Sequence, residues 1–282
     1  MRVYFEPGFP SWGISRVAYQ LSEHLPPDFT PVGDPGSADL VVLHVVGRRD
    51  HNINRAGQVT SAGAQYAVIQ YVLGSCRNPD PADWKEFWDG AKVVWSYYDL
   101  PTPKLYRAPL AADPTVFYKM GAEKKYLVGT NGNTYRGEAV GEVHMAAYQA
   151  GGKIVHVGEK FNSDPIVTYL QSITDDELRD VYNGCDWWSS LRRWDGFEMT
   201  AVEALLCGVR PIMFDTPNYR HWFDGLAKFI PECHPGEMTG RLKRIFKDGV
   251  APVIEQEIEE TKTRFDWRRS VTGFWERCLN SV

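Results

Sequence analysis

The sequence predicts an α/β protein made of two doubly wound, mostly parallel sheets. Two observations carry that class. Strand-like apolar runs at residues 3–5, 40–46, 67–73, 92–97, 126–129, 153–157, 187–190 and 209–214 are separated, for most of the chain, by helical patterns at 14–24, 81–90, 138–150, 175–183 and 199–207. Such alternation is the mark of βαβ units, whose crossover helices cover a parallel sheet. The second observation is a proline-rich stretch of weak periodicity at 101–114 within 282 residues, a length that supports two modest cores. Residues 1–108 are therefore expected to form one unit and 109–265 a second.

The opening MRVYFEPGFP reads as a strand entering a loop and carries no secretory apolar region. The run 40–46 is continuously apolar apart from His44, as expected of a strand covered on both faces. Thr174-Asp175-Asp176-Glu177 has the spacing of a capping box, so its aspartates are explained as helix-start charge rather than as metal ligands. The helix at 199–207 is short and apolar, Gly208 stops it, and a β-rich segment follows.

Composition bounds the function. With 43% hydrophobic and 24% charged residues the chain is ordinary for a soluble globular protein, and no stretch approaches a spanning helix. Its five cysteines are scattered and contain no CxxC pair, which argues against a disulfide framework or zinc site and for a reducing cytoplasm. A net charge of −5 excludes bulk attraction to a polyanion. Two basic clusters run against that balance: Arg48, Arg49, His51 and Arg55 after the strand at 40–46, and Arg192-Arg193 after the strand at 187–190. Both fall at strand exits, where open α/β sheets place their ligand crevice, although solvated loops would also carry them.

The most informative segment is Asp195-Gly196-Phe197-Glu198-Met199-Thr200-Ala201-Val202-Glu203, leading through Gly208 to Val209-Arg210-Pro211. An acidic residue opens a glycine turn, and Glu203 follows about two turns into a helix whose N-terminus is open to an anion. A diphosphate suits that N-terminus, with the carboxylate reaching a ribose or sugar hydroxyl. A solvated surface glutamate is the plainer alternative.

This run resembles the acidic-x7-acidic signature of retaining glycosyltransferases with the GT-B fold, closest to the family-4 type. The usual pattern is Glu-Gly-Phe-Gly-Leu-Pro-x-x-Glu-Ala followed by Gly-x-Pro. Gly196, Phe197, Glu203, Gly208 and Pro211 match; Asp195 replaces the first Glu, Glu198 the second Gly, and Met199-Thr200 the Leu-Pro. The resemblance implies two Rossmann-like domains with parallel sheets facing across a cleft, and residues 266–282 crossing back onto the first domain. It implies Gly13 in a glycine loop near the donor diphosphate, where a simple turn is the alternative. It also implies His44 at a strand end in the cleft, where a core histidine is the alternative. Arg136-Gly137 stands in the family's Lys-Gly place, whereas Thr130 occupies the position of an Arg, leaving Asn131 and Asn133 as neutral donors. The stretch 169–174 resembles the loop that reads the donor base.

By this resemblance Asp195, Glu203 and His44 are the catalytic candidates. Gly13, Thr130, Asn131, Arg136, Gly196, Phe197, Glu198, Met199 and Thr200 bind the donor. The expected co-substrate is a nucleotide diphosphate sugar, by default UDP-glucose, with no cofactor and no metal, because no suitably placed Asp-x-Asp follows an apolar strand. Compact versions of the fold resemble phage and viral enzymes, some of which glycosylate hydroxymethylated pyrimidines in DNA, so Arg48, Arg49, His51 and Arg55 are candidate acceptor contacts. A glycan or small-molecule acceptor, a GT-B epimerase and a non-catalytic nucleotide-sugar module remain open.

Overall fold

The computed structural model describes residues 1–6, 13–72, 81–132, 137–161, 165–193 and 196–280. Of the candidates, Asp195, Arg136 and Asn133 lie outside them. The chain divides into two compact units: Met1–Leu110 with Trp194–Phe197 and Asp266–Val282, and Ala111–Arg193 with Glu198–Phe265.

The first unit is built on β1 (Arg2–Phe5), α1 (Gly13–Glu23), β2 (Thr30–Pro31), β3 (Leu40–Val46), α2 (Arg49–Ser61), β4 (Gln65–Val72), α3 (Lys85–Gly90), β5 (Val94–Ser96) and β6 (Leu105–Arg107). Its strands run in the order β2-β1-β3-β4-β5-β6, every pair parallel. β3 is buried along almost its whole length, as its sequence, apolar apart from His44, requires. α1 buries Ile14, Val17 and Leu21, one stripe at helical spacing. The last helix of the chain, Trp267–Asn280, belongs to this unit, with the Trp275 indole donating to the Leu21 carbonyl at 3.2 Å and Phe274 packed on Trp95. Each fully buried side chain of this size contributes roughly 2 kcal/mol.

Within the stretch 101–114, Leu105–Arg107 forms β6, the edge of the first sheet, and the two units divide at Leu110/Ala111. The basic cluster at 48–55 is not a loop: it starts α2, whose weak apolar periodicity hid it.

The second unit contains β7 (Tyr126–Gly132), α4 (Val140–Ala150), β8 (Ile154–Gly158), β9 (Val167–Leu170), α5 (Asp175–Asn183), β10 (Cys185–Ser190), α6 (Met199–Leu206), β11 (Arg210–Phe214), α7 (Pro217–Phe223), β12 (Lys228–Ile230), α8 (Pro235–Asp248) and α9 (Glu255–Arg264). The helix Trp267–Asn280 is then α10. The strand order is β12-β11-β10-β7-β8-β9, again all parallel. The capping box starts α5: Thr174 Oγ1 accepts from the Glu177 amide, and Glu177 accepts from the Thr174 amide at 2.7 Å. The stretch 169–174, expected as a loop, begins inside β9, and Tyr169 packs edge-on against His156.

In each sheet the chain reverses direction across the layer once, between β1 and β3 in the first and between β7 and β10 in the second. Ligands of open α/β sheets bind beyond the carboxyl ends of the strands at such a switch point.

Candidate functional site

At the switch point of the second unit, β7 ends at Gly132 and β10 ends at Ser190. A buried polar chain fixes the end of β7. Thr130 Oγ1 lies 2.7 Å from His156 Nδ1 and 3.3 Å from His144 Nε2, and His156 Nε2 lies 3.2 Å from the Gly132 carbonyl. A carbonyl only accepts, so His156 donates from Nε2 and accepts the Thr130 hydroxyl at Nδ1, and His144 donates to that hydroxyl. Burial lowers the His156 pKa, partly opposed by the carbonyls of Gly132 and Glu159, so the neutral ring this pattern needs is favoured. Thr130, expected as a donor contact, is 2% exposed and its hydroxyl is engaged by two imidazoles. Asn131, next along β7, is half-buried.

Gly132 itself is required. Its φ is +126°, and a Cβ there would fall 2.0 Å from the Glu138 carboxyl carbon. Gly132→Ala is expected to cost about 2 kcal/mol of stability through backbone strain and displacement of Glu138, measured by urea denaturation.

Beyond β10 two consecutive arginines organise the site. Arg192 donates Nη1 to Glu138 at 2.9 Å and Nε to Glu198 at 3.0 Å. Arg193 pairs with Glu142 and Glu232, both at 2.9 Å, and its amide donates to the Gly137 carbonyl at 3.0 Å. Neither arginine is therefore an uncommitted phosphate grip. Ser189 and Ser190 end β10 with buried hydroxyls that have no hydrogen-bond partner among the described residues.

The diagnostic segment divides between the units. Gly196 and Phe197 belong to the first. The absent Gly196 side chain makes room for the Tyr98 ring, 2.3 Å from where a Cβ would stand, and Phe197 packs against Tyr97 with centroids 5.7 Å apart. Both residues, expected at the donor, thus have packing partners of their own. Glu198, Met199 and Thr200 begin the second unit's part. Glu198 is the N-cap of α6 with no side-chain cap, and Met199 and Thr200 are its half-buried first two residues.

Glu203 is the fifth residue of α6, about one turn in rather than two. It is 2% exposed and accepts the Tyr182 hydroxyl at 2.6 Å, so the plain reading of a solvated glutamate is wrong. A carboxylate held in so buried a place needs such partners. Tyr182 had not been expected at the site, and its place as the penultimate residue of the amphipathic helix α5 gave no signal beyond core packing.

In the first unit Gly13 opens α1 beside the β1–β3 switch point and is exposed. His44, on β3, is 6% exposed and stacks on Tyr71, its Nδ1 2.8 Å from the phenol oxygen. Burial holds the imidazole pKa down at about 4 and raises that of Tyr71 far above its usual range. The phenol thus keeps its proton; in the tautomer that carries the ring proton on Nε2 it donates to Nδ1, and Nε2 has no partner among the described residues. Of the basic cluster, Arg48 is the left-handed N-cap of α2 and His51 is exposed. Arg49 pairs with Asp50 and the Asp83 carbonyl, and Arg55 with Glu6 and Asn52. Those last two, expected as acceptor contacts, thus have carboxylate partners of their own. Among the described residues no group of three or more His, Cys, Asp or Glu side chains is arranged to hold a metal, and no helix is long and apolar enough to cross a membrane.

No protein-family model matches the sequence, and no curated protein matches it significantly. Solved structures do match in fold. HepE from Anabaena, in complex with UDP and glucose, aligns over 99% of both chains with a TM-score of 0.76 at 9% identity. AviGT4, a glycosyltransferase involved in avilamycin A biosynthesis, aligns over 99% of this chain and 96% of its own with a TM-score of 0.64 at 12% identity. Sucrose-phosphate synthase from Thermosynechococcus elongatus aligns over 94% of this chain and 77% of its own with a TM-score of 0.66 at 13% identity. With two parallel six-stranded sheets, each flanked by helices and each carrying one switch point, this chain has the GT-B fold of these glycosyltransferases.

Proposed function

We propose that the protein is a retaining, family-4-like glycosyltransferase that moves a sugar, by default glucose from UDP-glucose, onto an acceptor hydroxyl. The observation that carries this is the buried Glu203, oriented by Tyr182 on the helix that starts at the β7–β10 switch point. The full-length fold likeness to a structure solved with UDP and glucose supports it. Breaking the sugar–diphosphate bond builds negative charge on the leaving group, which the α6 N-terminus and Arg136 would stabilise without a metal. Glu203 would hold the donor ribose, Asp195 the sugar hydroxyls, and His44 would offer its Nε2–H as a donor rather than act as a base. The scattered cysteines without a CxxC pair support a reducing cytoplasm as the place of the reaction.

A glycan or small molecule fits the acceptor better than DNA does. Arg49, Arg55, Arg192 and Arg193 are all engaged by carboxylates, which removes most of the cations a phosphate backbone would need. Binding to DNA falls steeply between about 50 and 200 mM salt. Transfer by this protein is expected to change less than about twofold over that range. A steep loss, with product on hydroxymethylated DNA of the kind compact phage enzymes make, would restore the DNA acceptor.

The decisive experiment is incubation with a panel of nucleotide sugars and acceptors, with and without EDTA, read by nucleoside diphosphate release and product mass. Nucleotide binding without turnover on any acceptor would make the chain a binding module. An isomerised donor without transfer would make it an epimerase. Loss of activity in EDTA would overturn the metal-free route.

A further inference from the structure

Glu198 creates an electrostatic problem for any anion at α6. It stands at the N-cap with extended backbone, the position from which an acidic side chain is drawn onto the first helical amides. A carboxylate lodged there would compete with a diphosphate for the same partial charge. The side chain nevertheless makes no cap hydrogen bond. One oxygen accepts from Arg192 Nε at 3.0 Å and the other from the Thr200 hydroxyl at 3.3 Å. The same guanidinium holds Glu138, which packs against Gly132, so it spans the two loops that leave β7 and β10. Its own backbone is secured by the neighbouring Arg193, bound to Gly137, Glu142 and Glu232.

We infer that Arg192 is a positioning residue that holds the Glu198 carboxylate away from the α6 amides, neutralises it, and so keeps those amides open to the donor diphosphate. This rests on the transferase reading. The chain departs from the family pattern at Glu198, and Arg192 is the compensating partner the structure supplies.

The test is UDP binding by calorimetry, together with rates against UDP-glucose, on the full chain. Arg192→Gln is expected to weaken UDP binding about tenfold and to raise the donor KM more than it lowers kcat, because the released carboxylate turns to the helix amides. The double variant Arg192→Gln/Glu198→Gln is expected to recover most of the affinity, and Glu198→Gln alone to bind UDP at least as tightly as the unmodified protein. A double variant as weak as Arg192→Gln would overturn the inference and leave Arg192 as a direct donor contact or a mere brace. Should Arg192→Gln fail to fold, Glu198→Gln decides alone: weaker UDP binding there also overturns it. An unmodified protein that binds no nucleoside diphosphate sinks the transferase proposal instead, a result readily told apart from failed rescue.

Discussion

Glu203→Gln is expected to lower kcat/KM for the nucleotide sugar roughly hundredfold, since charge-assisted bonds to the donor ribose are lost while the side chain keeps its volume. The fold should survive, because an amide oxygen still accepts the Tyr182 hydroxyl now found 2.6 Å from the carboxylate. Glu203→Ala is a different experiment. It removes the partner of a fully buried tyrosine and opens space in a helix buried from Ala201 to Leu206, so about 2 kcal/mol of stability should go with the activity. Tyr182→Phe separates the two roles: if Tyr182 only orients the carboxylate, activity falls while stability moves by about 1 kcal/mol. Full activity in Glu203→Gln would remove the central support of the proposed function.

Stability should also depend on pH through His44. Its pKa is held at about 4 by burial, whereas an unfolded histidine titrates near 6.5. Between those values the unfolded chain binds a proton that the folded chain refuses. The folded state is therefore fully favoured above about pH 6.5, loses stability as pH falls to about 4, and loses nothing further from this group below that. The full window corresponds to about 3 kcal/mol. Urea denaturation at pH 7 and near pH 4.5 should show a fall of this order in the unmodified protein and a much smaller one in His44→Gln, whose amide can still accept from Tyr71. Equal slopes in the two proteins would mean that His44 is protonated in the fold. Such an imidazolium would still offer Nε2–H, so that outcome overturns the neutral buried ring and not the donor role.

Most of the framework was legible in the residues. β3 and α5 fall at the residues their apolar run and capping box indicate, because each is specified by local chemistry that packing did not override. The helices α2, α7, α8 and α9 and the short strands β2, β6, β9 and β12 were missed; in α2 Asn52 and Ala56 are the buried positions of a mostly polar helix, whereas α8 buries Met238, Leu242 and Phe246, a stripe that was legible and overlooked. Of the candidate site, the position of Glu203 on a short helix after β10 could be read in advance. Its partner could not, since Tyr182 looks like any aromatic on an amphipathic helix. The basic clusters misled because charge in sequence carries no record of its counter-ions: Glu6 reaches Arg55, and Glu138 and Glu198 reach Arg192, across gaps that only folding closes.

The sequence by itself determined the alternation of strand and helix, and hence the parallel sheets, because periodicity and capping act within a few residues. It also determined that an acidic side chain follows a turn into a buried helix. Only the tertiary structure decided which charges are spent on each other and which polar groups are sealed among imidazoles and tyrosines. Ion pairing and burial depend on distances between residues far apart in the chain, and strand order, not sequence order, sets those distances.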